Sequence, residues 1–515
     1  MNRTTGTYKT TTVSGESVKA FVPYPLPPEN PKIELTDSLK RWLDQADLSL
    51  KNLNLAGSMV PSLDWFIYAF VRKEAVTSSQ IEGTQATLID LLTFEAEDNH
   101  SQSPDADLEE VCNYLDAIKY ARSQLNDIKG LPLSMRLLNE THKHLMNGVR
   151  GGTKQPGAIR QSQNWIGGTR PGNAKFVPPP PQDLAQLISD LEKYIHAKDS
   201  LPHLIRIGLL HVQFETIHPY LDGNGRIGRL LITLLFEHWK ILHQPLVYLS
   251  LYFKRNRNQY YHHLELVRTE GNWEAWTEFF LKGVCEICEE ATKLIGHLVQ
   301  IVTEDRDKVL KEESSSLYTL KLFELLPTHP VITMTKVVAL LDTTKPTAMK
   351  AIATLEKLKI LKEKTGRKRN RIFEYVDYTG KLKFGTELKM YRIVINYAFE
   401  DFVIKDESAE YALNAGYDFF YDSLVAAESD YKKIIKKLKN KPSMRSTQLE
   451  IYDSHWHKWT LLQDSAMWSE SDKDIPTPHA SDVVGGKLVS LNTILKKVKF
   501  THTPQHKIRP KHRNK

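Results

Sequence analysis

The run His218-Pro219-Tyr220-Leu221-Asp222-Gly223-Asn224-Gly225-Arg226-Ile227-Gly228-Arg229 constrains this chain more than any other feature. Before it lie Leu204, Ile207, Leu210, Val212, Phe214 and Ile217, and after it Leu230, Ile232, Leu234, Leu235 and Phe236. Both sets have the spacing of buried helices. The fold must therefore hold a tight, charged bend between two interior helices. Such a bend opens the second helix at its N-terminus, where free amides and a partial positive charge favour an anion. Gly223 and Gly225 let successive amides converge on it. Arg226 and Arg229 project from nearly the same helical face, and each can hold a phosphate oxygen by charge-assisted bonds. Asp222 can hold Mg²⁺, because a hard cation prefers carboxylate oxygen, and the Asn224 amide can bond a phosphate oxygen. His218 stands at the mouth. An ordinary imidazole is largely neutral at cellular pH and can take a proton from an attacking hydroxyl. The run thus points to phosphoryl- or nucleotidyl-transfer chemistry.

The remaining sequence sets the frame. The 515 residues carry 41% hydrophobic and 25% charged side chains, ordinary for a soluble globular chain. No apolar stretch is long enough to span a membrane, and the N-terminus lacks the apolar core of a secretory signal. Only Cys112, Cys285 and Cys288 are present, which fits a reducing, cytoplasmic compartment. Cys285 and Cys288 have no second pair to complete a four-ligand site and fall among helically spaced apolar residues, so packing is expected of them. The net charge of +7 is a property of the tail: residues 487–515 hold nine Lys or Arg and no acid, leaving residues 1–486 at net −2.

The expected architecture is mainly α. Residues 1–105 read as an N-terminal arm over 1–35 followed by helices. Residues 106–303 read as the catalytic domain, with a short β-hairpin flap at 157–181 among Gly157, Gly167, Gly168, Gly172 and Pro178–Pro181. Helices are expected near 107–126, 133–147, 182–197, 203–217, 226–242, 255–268 and 273–303. Residues 310–385 read as a winged helix-turn-helix: helices at 317–326, 335–341 and 346–358, then alternating strands at 360–364 and 371–375. Residues 390–515 show no motif, only a basic helix-like stretch at 431–441 and the basic tail.

The run at 218–229 resembles the signature of the Fic family, His-Pro-Phe-x-Asp/Glu-Gly-Asn-Gly-Arg-x-x-Arg. It departs at one position, Tyr220 for the usual Phe, whose added hydroxyl needs a partner. The likeness extends over roughly residues 15–388. It implies an α-helical domain that transfers AMP from ATP to Ser, Thr or Tyr hydroxyls of protein targets and of itself. It implies His218 as base and Asp222 as ligand of Mg²⁺ or Mn²⁺. Gly223, Asn224, Gly225 and Arg226 then surround the α- and β-phosphates, Ile227 and Gly228 complete the ATP-binding run, and Arg229 takes the γ-phosphate. The flap resembles the family's hairpin, which pins a target segment by strand addition. Ile166, Gly167, Gly168 and Thr169 would border the nucleotide. Tyr260 and Tyr261 resemble an aromatic pair near the adenine, with plain packing as the alternative.

Upstream, Ser78-Ser79-Gln80-Ile81-Glu82-Gly83 matches the family's inhibitory pattern, Ser/Thr-x-x-x-Glu-Gly/Asn. Gly83 is a helix stop, so Glu82 falls in the last turn, where a carboxylate opposes the helix dipole and calls for a cation. The resemblance supplies Arg229. A Glu82–Arg229 pair would occupy the arginine that the γ-phosphate needs, with Ser78 beside it. Three rival functions stay open at this point. The same site can remove AMP, alone or as a second activity of one enzyme. It can transfer phosphate instead of AMP. The wing, with Lys362, Lys364, Arg367, Lys368, Arg369 and Arg371, and Lys345 and Lys350 on the third helix, can hold DNA phosphates. Against the last stands a winged unit used for protein contacts, homodimerisation included.

Overall fold

A computed structural model describes residues 3–13, 15–97, 105–148, 154–367 and 369–387, and the backbone of four strands beyond them. The chain divides into two compact units, residues 1–386 and 387–515.

The first unit is mainly helical. An N-terminal hairpin, β1 (Gly6–Val13) and β2 (Glu16–Pro23), precedes α1 (Asp37–Ser58), α2 (Leu63–Ile81), α3 (Leu88–Ala96), α4 (Ala106–Asn126) and α5 (Met135–Leu145). Then come α6 (Pro181–His196), α7 (His203–Ile217), α8 (Asn224–His238), α9 (Ser250–Arg255), α10 (Arg257–Glu270) and α11 (Trp273–Lys311). The expected helices are all present, and α11 runs eight residues past its expected end, 303. Asn272 caps it by accepting the Ala275 N–H, and Lys308 and Lys311 in its last turn complement the dipole. Cys285 and Cys288 are free and buried in it.

Helices α7 and α8 are apolar nearly all round, which is the pattern of interior helices. Of α7 only Glu215 and His203 escape full burial, and α8 buries Asn224 and then every residue from Arg226 to Phe236. Arg206, inside α7, donates from Nη2 to the carbonyls of Tyr194, Ile195 and Ala197 and lies over the Trp239 ring. These two helices are the floor on which the motif bend sits.

One expectation is corrected and one is refined. Residues 1–35 are not only an extended arm: β1 and β2 pair antiparallel from Gly6↔Pro23 to Val13↔Glu16, turning at Gly15 with φ +82°. The threonine-rich alternation of this segment is strand-forming. The flap is the shortest form of the expected hairpin. Residues 157–181 contain a single antiparallel bridge, Ile166↔Phe176, and a 3₁₀ turn at Pro171–Asn173. Gly167 and Gly168 both have positive φ, and Pro178–Pro181 have no amide donors, so the ladder cannot extend. The flap leans instead on β2, where Phe21 N–H donates to Val177 O at 2.9 Å.

The unit ends with α12 (Leu317–Leu325), β3 (Val331–Thr333), α13 (Met334–Leu341), α14 (Lys345–Lys357), β4 (Leu361–Glu363), β5 (Ile372–Tyr375) and α15 (Val376–Leu382). Three helices and an antiparallel strand pair stand where they are expected. The added strand β3 makes a three-stranded sheet of order β3-β5-β4. This part is bonded to the helical body: Thr333 Oγ1 donates to Ala96 O, and the Tyr375 hydroxyl to Asp305.

The second unit carries an antiparallel sheet of order β7-β6-β8-β9, formed by β6 (Met390–Tyr397), β7 (Ala415–Tyr421), β8 (Met444–Asp453) and β9 (Lys458–Ala466). The expected basic helix at 431–441 and the tail at 487–515 lie outside the described residues.

Candidate active site

The motif occupies the bend between α7 and α8 and is bounded by two left-handed residues. His218 closes α7 at φ +50°, ψ +61°, and Gly223 opens α8 at φ +76°. For a non-glycine residue that conformation is strained and persists only where neighbours enforce it. Arg160 does so here. Its buried guanidinium donates to His218 O at 2.8 Å and to Pro179 O at 2.6 Å, and its backbone N–H donates to Pro219 O at 2.9 Å. Arg160 thus ties the root of the flap to the histidine's backbone.

The His218 imidazole has Nδ1 buried without a hydrogen-bond partner among the described residues. Burial, with Arg160 next, pushes its pKa down to about 4. The ring is therefore neutral at pH 7 and can accept a proton.

Arg229 lies 2% exposed in the first turns of α8 and is held against α2. Its Nε donates to Ser78 Oγ at 3.0 Å, and its Nη2 to Ser78 O at 3.0 Å and to Glu82 Oε1 at 2.6 Å. Glu82 is the cap residue just past α2, followed by Gly83 at φ +106°. Its carboxylate rests over Gly225, where a methyl group would overlap Glu82 Oε1. A carboxylate thus stands at the N-terminus of α8, where an anion is favoured. Desolvation alone would push the Glu82 carboxyl up, but Arg229, joined by Arg226 and Arg257, overrides it and holds the group below its ordinary range.

Arg226 is nearly buried and pairs with Glu110 at 3.0 Å, with Asp222 Oδ1 at 3.9 Å from its Nη2. Asp222 keeps 34% of its side chain exposed at the mouth, with Oδ1 on Gly223 N–H at 2.7 Å and Oδ2 on the Lys154 ammonium at 3.2 Å. Among the described residues no group of three or more His, Cys, Asp or Glu could hold a metal alone. One half-open carboxylate suits Mg²⁺, which takes one or two carboxylates, substrate phosphates and water, once the Lys154 ammonium gives up Oδ2.

Other expected site residues divide. Asn224 commits both ends of its amide to the loop, accepting Tyr220 N–H and donating to Tyr220 O, both at 2.8 Å. It shapes the bend and keeps a second Nδ2–H beyond the one given to Tyr220 O. Ile227 is wholly buried, and Gly228 leaves room for the Glu215 carboxyl, which a methyl there would strike. Ile166, Gly167, Gly168 and Thr169 are exposed on the flap. Tyr260 belongs to the core, 1% exposed, its hydroxyl 2.8 Å from His211 Nε2, whereas Tyr261 is 43% exposed. The Tyr220 hydroxyl finds its partner in Asn139 Oδ1 at 2.8 Å.

Sequence reasoning missed Arg160, His142, Asn139, Glu110 and Glu215. Glu215 carried a signal, an acid inside an otherwise apolar helix. Burial pushes its carboxyl up to about 7 beside Arg229 and Glu82.

Residues 41–123 match the Fic/DOC family N-terminal region and residues 132–236 the Fic/DOC family domain. Over these residues the chain is similar to the Fic/DOC family. Among curated relatives, the protein adenylyltransferase Fic of Drosophila grimshawi is 31% identical over 165 residues, 32% of this chain and 30% of the relative. That of Drosophila willistoni is 28% identical over 218 residues, 40% of this chain and 39% of the relative. The chain thus spans about a third of the length of these curated relatives. A Fic family protein from Desulfovibrio desulfuricans G20 aligns with a TM-score of 0.43 at 17% identity, over 67% of this chain and 97% of that one.

Proposed function

We propose that this Fic/DOC-family chain is a nucleotidyltransferase, a protein adenylyltransferase that moves AMP from ATP to protein hydroxyls and is restrained by Glu82. The observation that carries the reading is the Glu82 carboxylate on Arg229 and over Gly225, an anion seated beside a neutral imidazole. In the active state the γ-phosphate replaces that carboxylate on Arg229. The amides opening α8 and the Arg226 guanidinium hold the inner phosphates. Asp222 would hold Mg²⁺, which would supply neutralisation of phosphate charge when bound. His218 takes the proton of a target hydroxyl, the freed oxygen forms its bond to the α-phosphorus, and the bond to the β-phosphate oxygen breaks, releasing pyrophosphate. The flap at 157–181 docks the target's backbone, and self-modification follows the same steps. The curated relatives named protein adenylyltransferase Fic support this reading.

We read residues 1–105 as the restraining region, 106–303 as the catalytic domain and 310–385 as a winged-helix unit. In that last unit Lys364 pairs with Glu374, Arg371 with Glu356 and Lys357 with Glu312. At Lys364 and Arg371 this internal pairing supports protein contacts over DNA phosphates.

The test is incubation of wild type, Glu82→Gly and His218→Ala with ATP labelled at the α- or the γ-phosphate. AMP transfer gives α-label only, more in Glu82→Gly and about 10² to 10⁴ less in His218→Ala, the usual cost of losing a general base. Retention of γ-label, or equal labelling of wild type and Glu82→Gly, overturns the reading.

A further inference from the structure

One face of α5 carries the motif bend. Asn139, His142 and Met146, spaced three and four apart, share a helical face. Asn139 accepts the Tyr220 hydroxyl, and Met146 Sδ lies 3.6 Å from Arg226 Nη2. His142 sits between them, 1% exposed, its ring stacked on Tyr220 with centroids 4.0 Å apart and planes 7° from parallel.

Both ring nitrogens are used, on two different segments. Gly157 N–H donates to Nδ1 at 2.8 Å, and Nε2 lies 3.0 Å from Asp222 O. A backbone amide can only donate and a carbonyl can only accept. Nδ1 is therefore bare and Nε2 carries the proton. Gly157 is the root of the flap, and Asp222 is the bend residue whose carboxylate faces the mouth. Gly223 follows it in the left-handed region, where an added Cβ would lie 3.2 Å from His142 Nε2.

We propose that His142 is a positioning residue that locks the flap root and the phosphate-binding bend into one register through these two bonds of opposite polarity. The proposal goes beyond the assigned motif, and its nucleotide readout rests on the adenylyltransferase reading. A side chain that only filled space would make neither bond. An apolar ring of the same size would stack on Tyr220 equally well and leave Gly157 N–H and Asp222 O unpaired.

The two bonds can be separated by substitution in a Glu82→Gly parent. In His142→Asn the side-chain oxygen takes the place of Nδ1 and keeps the Gly157 bond, but the side chain is too short for Asp222. In His142→Gln the amide nitrogen takes the place of Nε2 and keeps the Asp222 bond, leaving Gly157 without an acceptor. Amide hydrogen exchange across 155–168 and 220–228 is measured without nucleotide, and MgATP affinity by calorimetry. His142→Gln should speed exchange in the flap root about tenfold, as expected when one buried hydrogen bond is lost, and leave the bend and the MgATP Kd within about twofold of the parent. His142→Asn should do the reverse, with exchange faster in the bend and MgATP bound about tenfold more weakly, as when phosphate-binding groups shift by a fraction of an ångström. Equal effects of both variants on both segments, or no effect of either, overturn the proposal. If the parent itself binds no MgATP, the adenylyltransferase reading fails, and the exchange pattern alone still decides on His142.

Discussion

Replacing Glu82 by Gln should lower the stability of the free protein and raise its affinity for ATP. The pair to be broken is Arg229 Nη2 to Glu82 Oε1 at 2.6 Å, with the arginine 2% and the glutamate 33% exposed. A hydrogen bond between charged groups contributes about 1.5–3 kcal/mol, and the partly wet carboxylate puts this one near the lower end, about 1.5 kcal/mol. Gln keeps the shape and loses the charge. Arg229 retains both bonds to Ser78, so α2 stays docked. The γ-phosphate no longer displaces an ion pair, and the same ~1.5 kcal/mol returns as affinity, roughly tenfold in Kd. Calorimetric titration with MgATP reads the tightening, and a thermal melt reads a loss of a few degrees, about 2–4 °C per kcal/mol for a mid-sized domain. The two signs must be opposite. A variant that melts lower and binds MgATP no tighter refutes the idea that Glu82 and the γ-phosphate compete for Arg229.

Other outcomes follow from the same geometry. Because the Glu82 carboxyl is held low, its ion pair is complete above the ordinary carboxyl value of 4.5 and is lost only as pH falls through the depressed value, so the labelling ratio of Glu82→Gly to wild type should stay flat from about pH 6 to 8. His218 is displaced down to about 4, so the acid limb of kcat/KM in Glu82→Gly should fall near that value rather than near ~6.5. Asn139→Ala strands the buried Tyr220 hydroxyl and should cost about 1–3 kcal/mol, most of it recovered in the double variant with Tyr220→Phe, as a double-mutant cycle by denaturation will show. A gel shift with the full chain and duplex DNA at two salt concentrations should show no binding; retardation that weakens steeply with salt contradicts the protein-contact reading of the winged unit.

The sequence made the helical frame legible because its signals are local. Apolar spacing marked α7 and α8, and the glycines and arginines between them marked the candidate site. The Glu82–Arg229 pair was legible for the same reason: Gly83 stops α2 and leaves Glu82 without local compensation. The support of the site was not legible. Arg160, His142 and Asn139 act through partners 58, 80 and 81 residues away, and no local period announces such bonds. The bonds of Asn224 within the bend were not legible, because its motif position suggested a ligand contact and gave no sign that the bend also needs an amide to satisfy its own backbone. Tyr260 and Tyr261 are adjacent, yet on a helix neighbours point apart, so one joins the core and the other meets solvent. The flap pairs at a single bridge because proline and glycine limit its ladder, and β2, far away in sequence, supplies a further bond.

The most direct measurement is a crystal structure of Glu82→Gly with ATP and magnesium. The account predicts the γ-phosphate on Arg229, the inner phosphates on the amides that open α8, and room for one hydroxyl oxygen about 3–3.5 Å from both His218 Nε2 and the α-phosphorus. A triphosphate bound elsewhere, or one at α8 whose α-phosphorus is turned away from His218, would contradict it.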